Sequence, residues 1–246
     1  MKRFLSILLL CMLGFAPIHA RKTADAETFF PFRVGTYWVY KGTVGWQDAE
    51  EDKETTGDVS WKMSVVKVIR KKGIVGAVVT GYPADLDFSA GTTEPKPWLI
   101  LETEDHRVYL ENLGPDYDLA KLSSSDEHGF DKFMVEENLF FQWPLKQDAK
   151  FCDEEAKKRE DGMYCWVVEQ TGTKKLESVA GAPAGEQNVF YVHYRTLPDD
   201  TLVDLVPGIG LISYEYHHHG SIADTTLQLV EFHPAPEGSE VQGSKP

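Results

Sequence analysis

Asp58-Val59-Ser60-Trp61-Lys62-Met63-Ser64-Val65 alternates apolar and polar side chains almost without a break. Val59, Trp61, Met63 and Val65 fall on one face, while Ser60, Lys62 and Ser64 fall on the other. A period of two is that of a half-buried β-strand. The pattern then shifts to Val66 and Val68, which predicts a bulge before the strand runs on to Ile69. Lys71-Lys72-Gly73 reads as a turn, and Ile74 to Tyr82 as the returning strand. The same grammar recurs in both directions. It covers Val34 to Val44, Trp98 to Thr103, Arg107 to Glu111, Met163 to Thr171 and Lys174 to Val179. It continues through Val189 to Leu197, Thr201 to Val206, Leu211 to His218 and Thr225 to Phe232. Consecutive strands joined by short turns predict an all-β fold: a single curved antiparallel meander sheet, bent into a half-barrel or a partly open barrel.

Helical signal is thin, enough for one or two short helices. Phe130, Phe133 and Met134 have the i, i+3, i+4 spacing of a short amphipathic turn. Glu154/Lys158 and Glu155/Arg159 are spaced for i, i+4 ion pairs in a second. Asp48 to Asp58 reads as an acidic loop, and 83–97 and 114–128 as mobile surface connections. Glu137 to Gln142 reads as strand or loop.

The beginning of the chain reads as an export signal over 1–20. Lys2 and Arg3 precede an apolar run from Phe4 to Phe15, and Ile18-His19-Ala20 forms a cleavage site ending in a small residue. Cys11 is not a lipoprotein cysteine, because Leu10 stands where a small residue is needed. One β-rich domain is expected over 21–233 and a disordered tail over 234–246, where Pro, Gly and Ser accumulate. The destination is the periplasm or the medium. No later segment is long and apolar enough to cross a membrane as a helix. The chain of 246 residues has a formal charge of −14, and loss of 1–20, which carries Lys2 and Arg3 but no acid, takes it to −16. A surface this acidic argues against binding nucleic acid through its phosphates or docking on anionic lipid.

Without Cys11 two cysteines remain, Cys152 and Cys165. An even count in an exported chain reads as one disulfide, here stapling the base of a hairpin with a long charged loop. Closing a loop of this size is worth about 3 kcal/mol.

The candidates for chemistry are few. On a strand from Leu211 to His219, Ser213, Glu215, His217 and His219 share one face, and Ile212, Tyr214, Tyr216 and His218 the other. Glu215, His217 and His219 are the candidate metal ligands, since His-x-His on a strand aims both rings the same way, with His193 or Asp224 as further donors. A solvated, His-rich strand end is the simpler reading, and no cofactor is expected. Asp85/Asp87, Asp116/Asp118 and Asp199/Asp200 read as solvated turn acids, and Ser123 to His128 as a polar loop. No nucleophile elbow, phosphate loop or dinucleotide fingerprint is present. The aromatics, including Trp38, Trp61, Trp98, Trp143 and Trp166, read mainly as core; any that line a concave face would make a site for an apolar ligand.

Phe30-Pro31-Phe32-Arg33, followed after four residues by Trp38, is echoed by Trp143-Pro144-Leu145-Lys146 and Phe151. Phe29 to Tyr40 also resembles the FPL-x-x-G-x-x-W-x-Y opening of many uncharacterised exported bacterial proteins. Pro144-Leu145-Lys146 with Phe151, Ala182-Pro183-Ala184-Gly185 and Val206-Pro207-Gly208-Ile209-Gly210-Leu211-Ile212 are similar to their later PLK, PAG and APGVGLV segments. Asp148 departs from that pattern where a glycine is usual, and Gln187-Asn188 replaces Thr-Phe. The resemblance implies a half-barrel like that of periplasmic lipoprotein carriers, and no activity. The expectation is an exported, non-enzymatic protein whose partner is an apolar ligand, a lipid or an envelope protein. The alternative is a secreted metal-binding protein or hydrolase using the His217/His219 face.

Overall fold

The alternation around Trp61 belongs to a strand of 19 residues, Lys53–Lys71, with Trp61, Met63 and Val65 buried and Ser60, Lys62 and Val66 exposed. Val66 is the expected bulge: pairing with the next strand slips between Val65 and Lys67. The computed structural model describes residues 28–48, 53–71, 73–89, 93–124, 127–220 and 222–236. The leader expected over 1–20 lies outside them.

The strands are β1 (Tyr37–Asp48), β2 (Lys53–Lys71), β3 (Ile74–Thr80), β4 (Pro97–Thr103), β5 (Arg107–Asn112) and β6 (Leu139–Gln142). They continue as β7 (Lys150–Phe151), β8 (Trp166–Lys175), β9 (Glu186–Arg195), β10 (Asp199–Val206), β11 (Gly210–His218) and β12 (Ala223–His233). All twelve lie in one antiparallel sheet, ordered β6-β5-β4-β3-β2-β1-β12-β11-β10-β9-β8-β7. Each chain neighbour is a sheet neighbour except at β6 and β7, which form the two edges. The sheet curls until those edges lie side by side, with Phe140 4.5 Å from Trp166 across the seam. The result is a nearly closed barrel, with two short helices, α1 (Leu119–Ser124) and α2 (Glu154–Lys157).

Several boundaries differ from the sequence reading. Lys53 to Asp58, expected in an acidic loop, is strand paired with Thr43 to Asp48, because β1 offers it a complete ladder. β8 runs through Gly172 to Lys175 with one partner, β9, where two strands flanking a turn were expected. Leu176 and Val179 then turn into the core, and Ala180 bridges Glu231. Ala235, within the segment expected as tail, is buried, and its N–H donates to Thr36 Oγ1 at 3.1 Å; residues 237–246 lie outside the described residues.

A continuous apolar run such as Val78-Val79 or Leu99-Ile100-Leu101 marks a strand covered on both faces. Ala77, Val79 and Ile100 point into the barrel. Val78, Leu99 and Leu101 point outward under Leu122 of α1 and Phe130 and Phe133 of the 3-10 helix Glu127–Phe133. The spacing of Phe130 and Phe133 thus gave the buried face and missed the tighter helix type. The disulfide joins Cys152 and Cys165 with their Cα atoms 4.8 Å apart, below the β7–β8 pair Lys150–Val167 and Phe151–Trp166. In its loop Glu154 and Glu155 pair with Lys157 and Lys158, one residue closer than expected.

The inside of the barrel is filled by the chain's own aromatics. Phe29, Phe30 and Phe32 precede β1 and are all buried. The N–H of Phe29 donates to Glu102 Oε2 at 2.9 Å, and its carbonyl accepts from Gly208 N at 2.9 Å. Phe30 lies against Gly210, whose φ is +91°; a Cβ there would stand 2.4 Å from the ring. Next along the chain, Trp38 Nε1 donates to Ile209 O at 2.7 Å and Tyr40 Oη to Leu211 O at 2.9 Å. Removing a buried phenyl leaves a cavity that costs about 3–5 kcal/mol. Phe30→Ala is therefore expected to lower stability by about that much in urea unfolding, whereas Leu197→Ala, at a residue 75% exposed, changes it by less than about 0.5 kcal/mol.

Candidate functional site

A second segment enters the barrel after β3. Gly81 makes the turn with φ at +77°, where a Cβ would lie 2.3 Å from Lys62 O. Its carbonyl accepts from Trp61 Nε1 at 2.8 Å. Pro83 then opens a 3-10 helix, Pro83–Leu86, which buries Leu86 completely and Asp85 almost so. Asp85 is held by Lys96 N at 2.8 Å and Trp98 Nε1 at 2.9 Å. Burial raises its carboxyl and those two bonds oppose the rise.

Asp87 differs. Tyr214 Oη donates to Asp87 Oδ2, while Oδ1 has no hydrogen-bond partner. Burial pushes the carboxyl up to about 8, against the Tyr214 bond and the nearby Thr225 hydroxyl, with Asp199 and Asp85 adding to the rise. The group therefore holds its proton at neutral pH. Around it Tyr82 Oη, Ser89 Oγ and Thr225 Oγ1 also lack partners of regular geometry. With Asp87 Oδ1 they make four of the five buried side-chain polar atoms left unpaired among the described residues. Each such atom costs about 1–3 kcal/mol if water does not reach it.

Phe88 follows at the mouth. It is 63% exposed and sits at φ +56°, a region that bulky side chains avoid. Its ring is edge-on to Tyr216 at 5.5 Å and to His218 at 4.9 Å. Tyr216 Oη and His218 Nδ1 both meet Asp199 Oδ1. Burial alone would raise Asp199, but His218, Tyr216 and Thr196 together hold it below the usual carboxylate range. Phe30 lies at the first residue of β11 and Phe88 beside Tyr216 and His218 near its last, so the two inserted segments meet opposite ends of that strand.

This segment was the part of the site least visible in the sequence. It was expected as mobile surface with Asp85 and Asp87 as solvated acids, yet both carboxyls are drawn out of bulk water. The signal was present in Tyr82, Leu86 and Phe88, apolar residues too frequent for a free loop.

His217 and His219 do not converge, although His219 and His193 share Asp200. His217 Nδ1 meets Asp224 Oδ1 at 2.9 Å, with Glu215 3.9 Å from its other nitrogen. His219 Nε2 meets Asp200 Oδ2 at 2.8 Å, and His193 lies between Asp200 and Glu169. His217 and His219 thus face different carboxylates, and Glu215 stands near His217 alone of the two. Among the described residues no group of three or more His, Cys, Asp or Glu is arranged to hold a metal ion. The side chains of Ser123 to His128 lie outside the described residues. Trp38 and Trp61 are buried core, and Trp98, Trp143 and Trp166 pack against it half-buried.

No protein-family model matches the chain, and no curated protein matches it. Among solved structures, one from Bacteroides fragilis NCTC 9343 is similar, a protein whose export is inferred and whose fold is described as YmcC-like. The match covers 84% of this chain and 99% of that one, at 11% identity and a TM-score of 0.39. At that score the likeness decides neither fold nor function.

Asp87 gives a test of the site. A carboxyl raised from 3.8 to about 8 in the folded state contributes stability that is complete below pH 3.8 and is lost as pH rises toward 8. Asp87→Asn abolishes that titration. Its melting temperature is expected to fall less than that of the parent between pH 5 and pH 8 in calorimetry; parallel curves would contradict the assignment.

Proposed function

We propose that the protein works outside the cytosol as a non-enzymatic binding protein, docking an apolar group of an envelope protein against the barrel mouth at Phe88. Phe88 carries this reading. An exposed phenyl in left-handed backbone costs about 1–3 kcal/mol to hold, and such strain gathers at functional positions. The interior supports it as well: packed with Phe29, Phe30, Phe32, Trp38 and Tyr40, it leaves the rim as the place for recognition. The leader read over 1–20 and the Cys152–Cys165 disulfide favour an oxidising compartment.

The test replaces Phe88 with photoreactive p-benzoylphenylalanine in the native host, with the same replacement at Val66, exposed but remote in the chain, as control. Irradiation is expected to give a discrete protein adduct from position 88 and none from position 66, on a chain whose N-terminus is Arg21. Equal labelling at both positions, or none at 88, would overturn docking at the mouth. A chain still beginning at Met1 would overturn export.

A further inference from the structure

The segment that carries Phe88 is tied to the barrel wall by side chains and not by main chain. Behind it the chain is fixed. Leu86 is fully buried, and the two oxygens of Asp85 accept from Trp98 Nε1 at 2.9 Å and from Lys96 N at 2.8 Å. From Asp87 to Ser89 the main-chain bonds among the described residues are local, Asp87 N to Ala84 O at 3.3 Å and Ser89 N to Leu86 O at 3.0 Å. The ties to the wall are the bond from Tyr214 Oη to Asp87 and the edge contacts of the Phe88 ring with Tyr216 and His218. Phe88 is largely exposed at φ +56°, so backbone strain favours its release.

Asp87 can hold its place only as a neutral acid. An ionised Asp85 keeps a donor on each oxygen, whereas Asp87 has Tyr214 on Oδ2, the Thr225 hydroxyl nearby and no partner of regular geometry on Oδ1. The groups that face it bring no countercharge. Asp85, two residues back, and Asp199 at the start of β10 both oppose a further anion. The hydroxyls of Tyr82, Tyr214 and Tyr216 are phenols that burial above all keeps neutral far into the alkaline range. Lys96 acts on Asp85, and His218 Nδ1 meets Asp199 Oδ1 at 2.8 Å, so neither basic side chain offsets Asp87. A buried anion in such surroundings either takes its proton back or moves to water.

We propose that the proton on Asp87 holds the mouth segment against the barrel wall. With the carboxyl neutral, Phe88 stands on Tyr216 and His218. When the proton passes to solvent, the carboxylate leaves the Tyr214 hydroxyl for water and carries Phe88 off the rim. The path is short, because the next residue is already exposed. Docking of an apolar group at the mouth is then proton-dependent, present at neutral pH and lost in the alkaline range. That consequence rests on the reading of Phe88 as the docking contact; the movement itself does not.

The movement is read on the free full chain, with 4-trifluoromethylphenylalanine at position 88 and its fluorine-19 resonance followed from pH 6 to pH 10. One transition is expected, with its midpoint between pH 7 and about pH 8, because leaving the site is the alternative to ionising within it. Asp87→Asn, neutral at every pH, should keep the low-pH signal throughout. His218→Gln should keep the transition, since the imidazole is not its source. The carboxyl carbon-13 resonance of Asp87 should titrate with the same midpoint, which reads the question without a substitution at 87. Four results would each overturn the proposal: a constant fluorine signal, a transition that survives in Asp87→Asn, one that disappears in His218→Gln, or a carboxyl that titrates while the fluorine signal stays still. Docking is read apart from this, by the photo-adduct from position 88 at pH 7 and pH 9. The adduct is expected to be lost at pH 9 and retained there in Asp87→Asn; equal yield at both pH values in the parent would refute the control of docking. No adduct at either pH, with the fluorine transition present, strikes the docking reading and leaves the movement standing.

Discussion

A barrel must fill the space it encloses. Eight strands close to an interior that their own side chains just fill, and the diameter grows with strand number. Here twelve strands curl into one sheet, so residues pointing inward from the walls are not enough. The chain answers by inserting two segments of itself. Phe29 to Phe32 enters at the start of β11, where Phe30 uses the space left by the missing side chain of Gly210. Tyr82 to Phe88 enters toward its other end, under Tyr214 and Tyr216. Trp38 and Tyr40 join the walls through hydrogen bonds to Ile209 and Leu211 carbonyls. Filling with backbone brings polar groups inside, and these need partners: Glu102 accepts the Phe29 N–H, and Asp85 accepts from Lys96 and Trp98.

That constraint explains which features could be read from sequence. Periodicity reports which side of a strand is greasy, so the meander and the Val66 bulge follow from local pattern. Compartment logic gives the Cys152–Cys165 pair. Neither rule says how wide the enclosed space is. The sequence therefore hid the fact that Phe29-Phe30 leaves the strand register to become filling. It likewise hid that Pro83-Ala84-Asp85-Leu86-Asp87 runs through the interior, because two acids in a Pro-containing stretch look like a solvated turn. Lys53 to Asp58 was hidden for a different reason. Strand there is imposed by the partner, β1, and not by its own propensity.

The echo of Phe30-Pro31 in Trp143-Pro144 has a structural counterpart. One stands before β1 and the other before β7, so each introduces six consecutive strands. The two halves join by a full ladder between β1 and β12, whereas at the other seam the ring of Phe140 in β6 meets that of Trp166 in β8. The introductions also meet, Phe29 and Trp143 being 5.4 Å apart. Before β7 the chain bonds to the β8 edge only at Val168, whose O accepts from Asp148 N at 2.8 Å and whose N–H donates to Ala149 O at 3.0 Å, so Gln170 to Lys175 pair with β9 alone among the described residues.

The indole N–H of Trp38 measures the central claim most directly, because it reports whether the space beside Ile209 is filled by protein or by solvent. With the interior packed as described, its nuclear magnetic resonance signal should exchange with water only over hours. The Phe30 ring should then show a nuclear Overhauser contact to the Gly210 α-protons. Exchange within seconds, with no such contact, would mean an open lumen and would contradict the account.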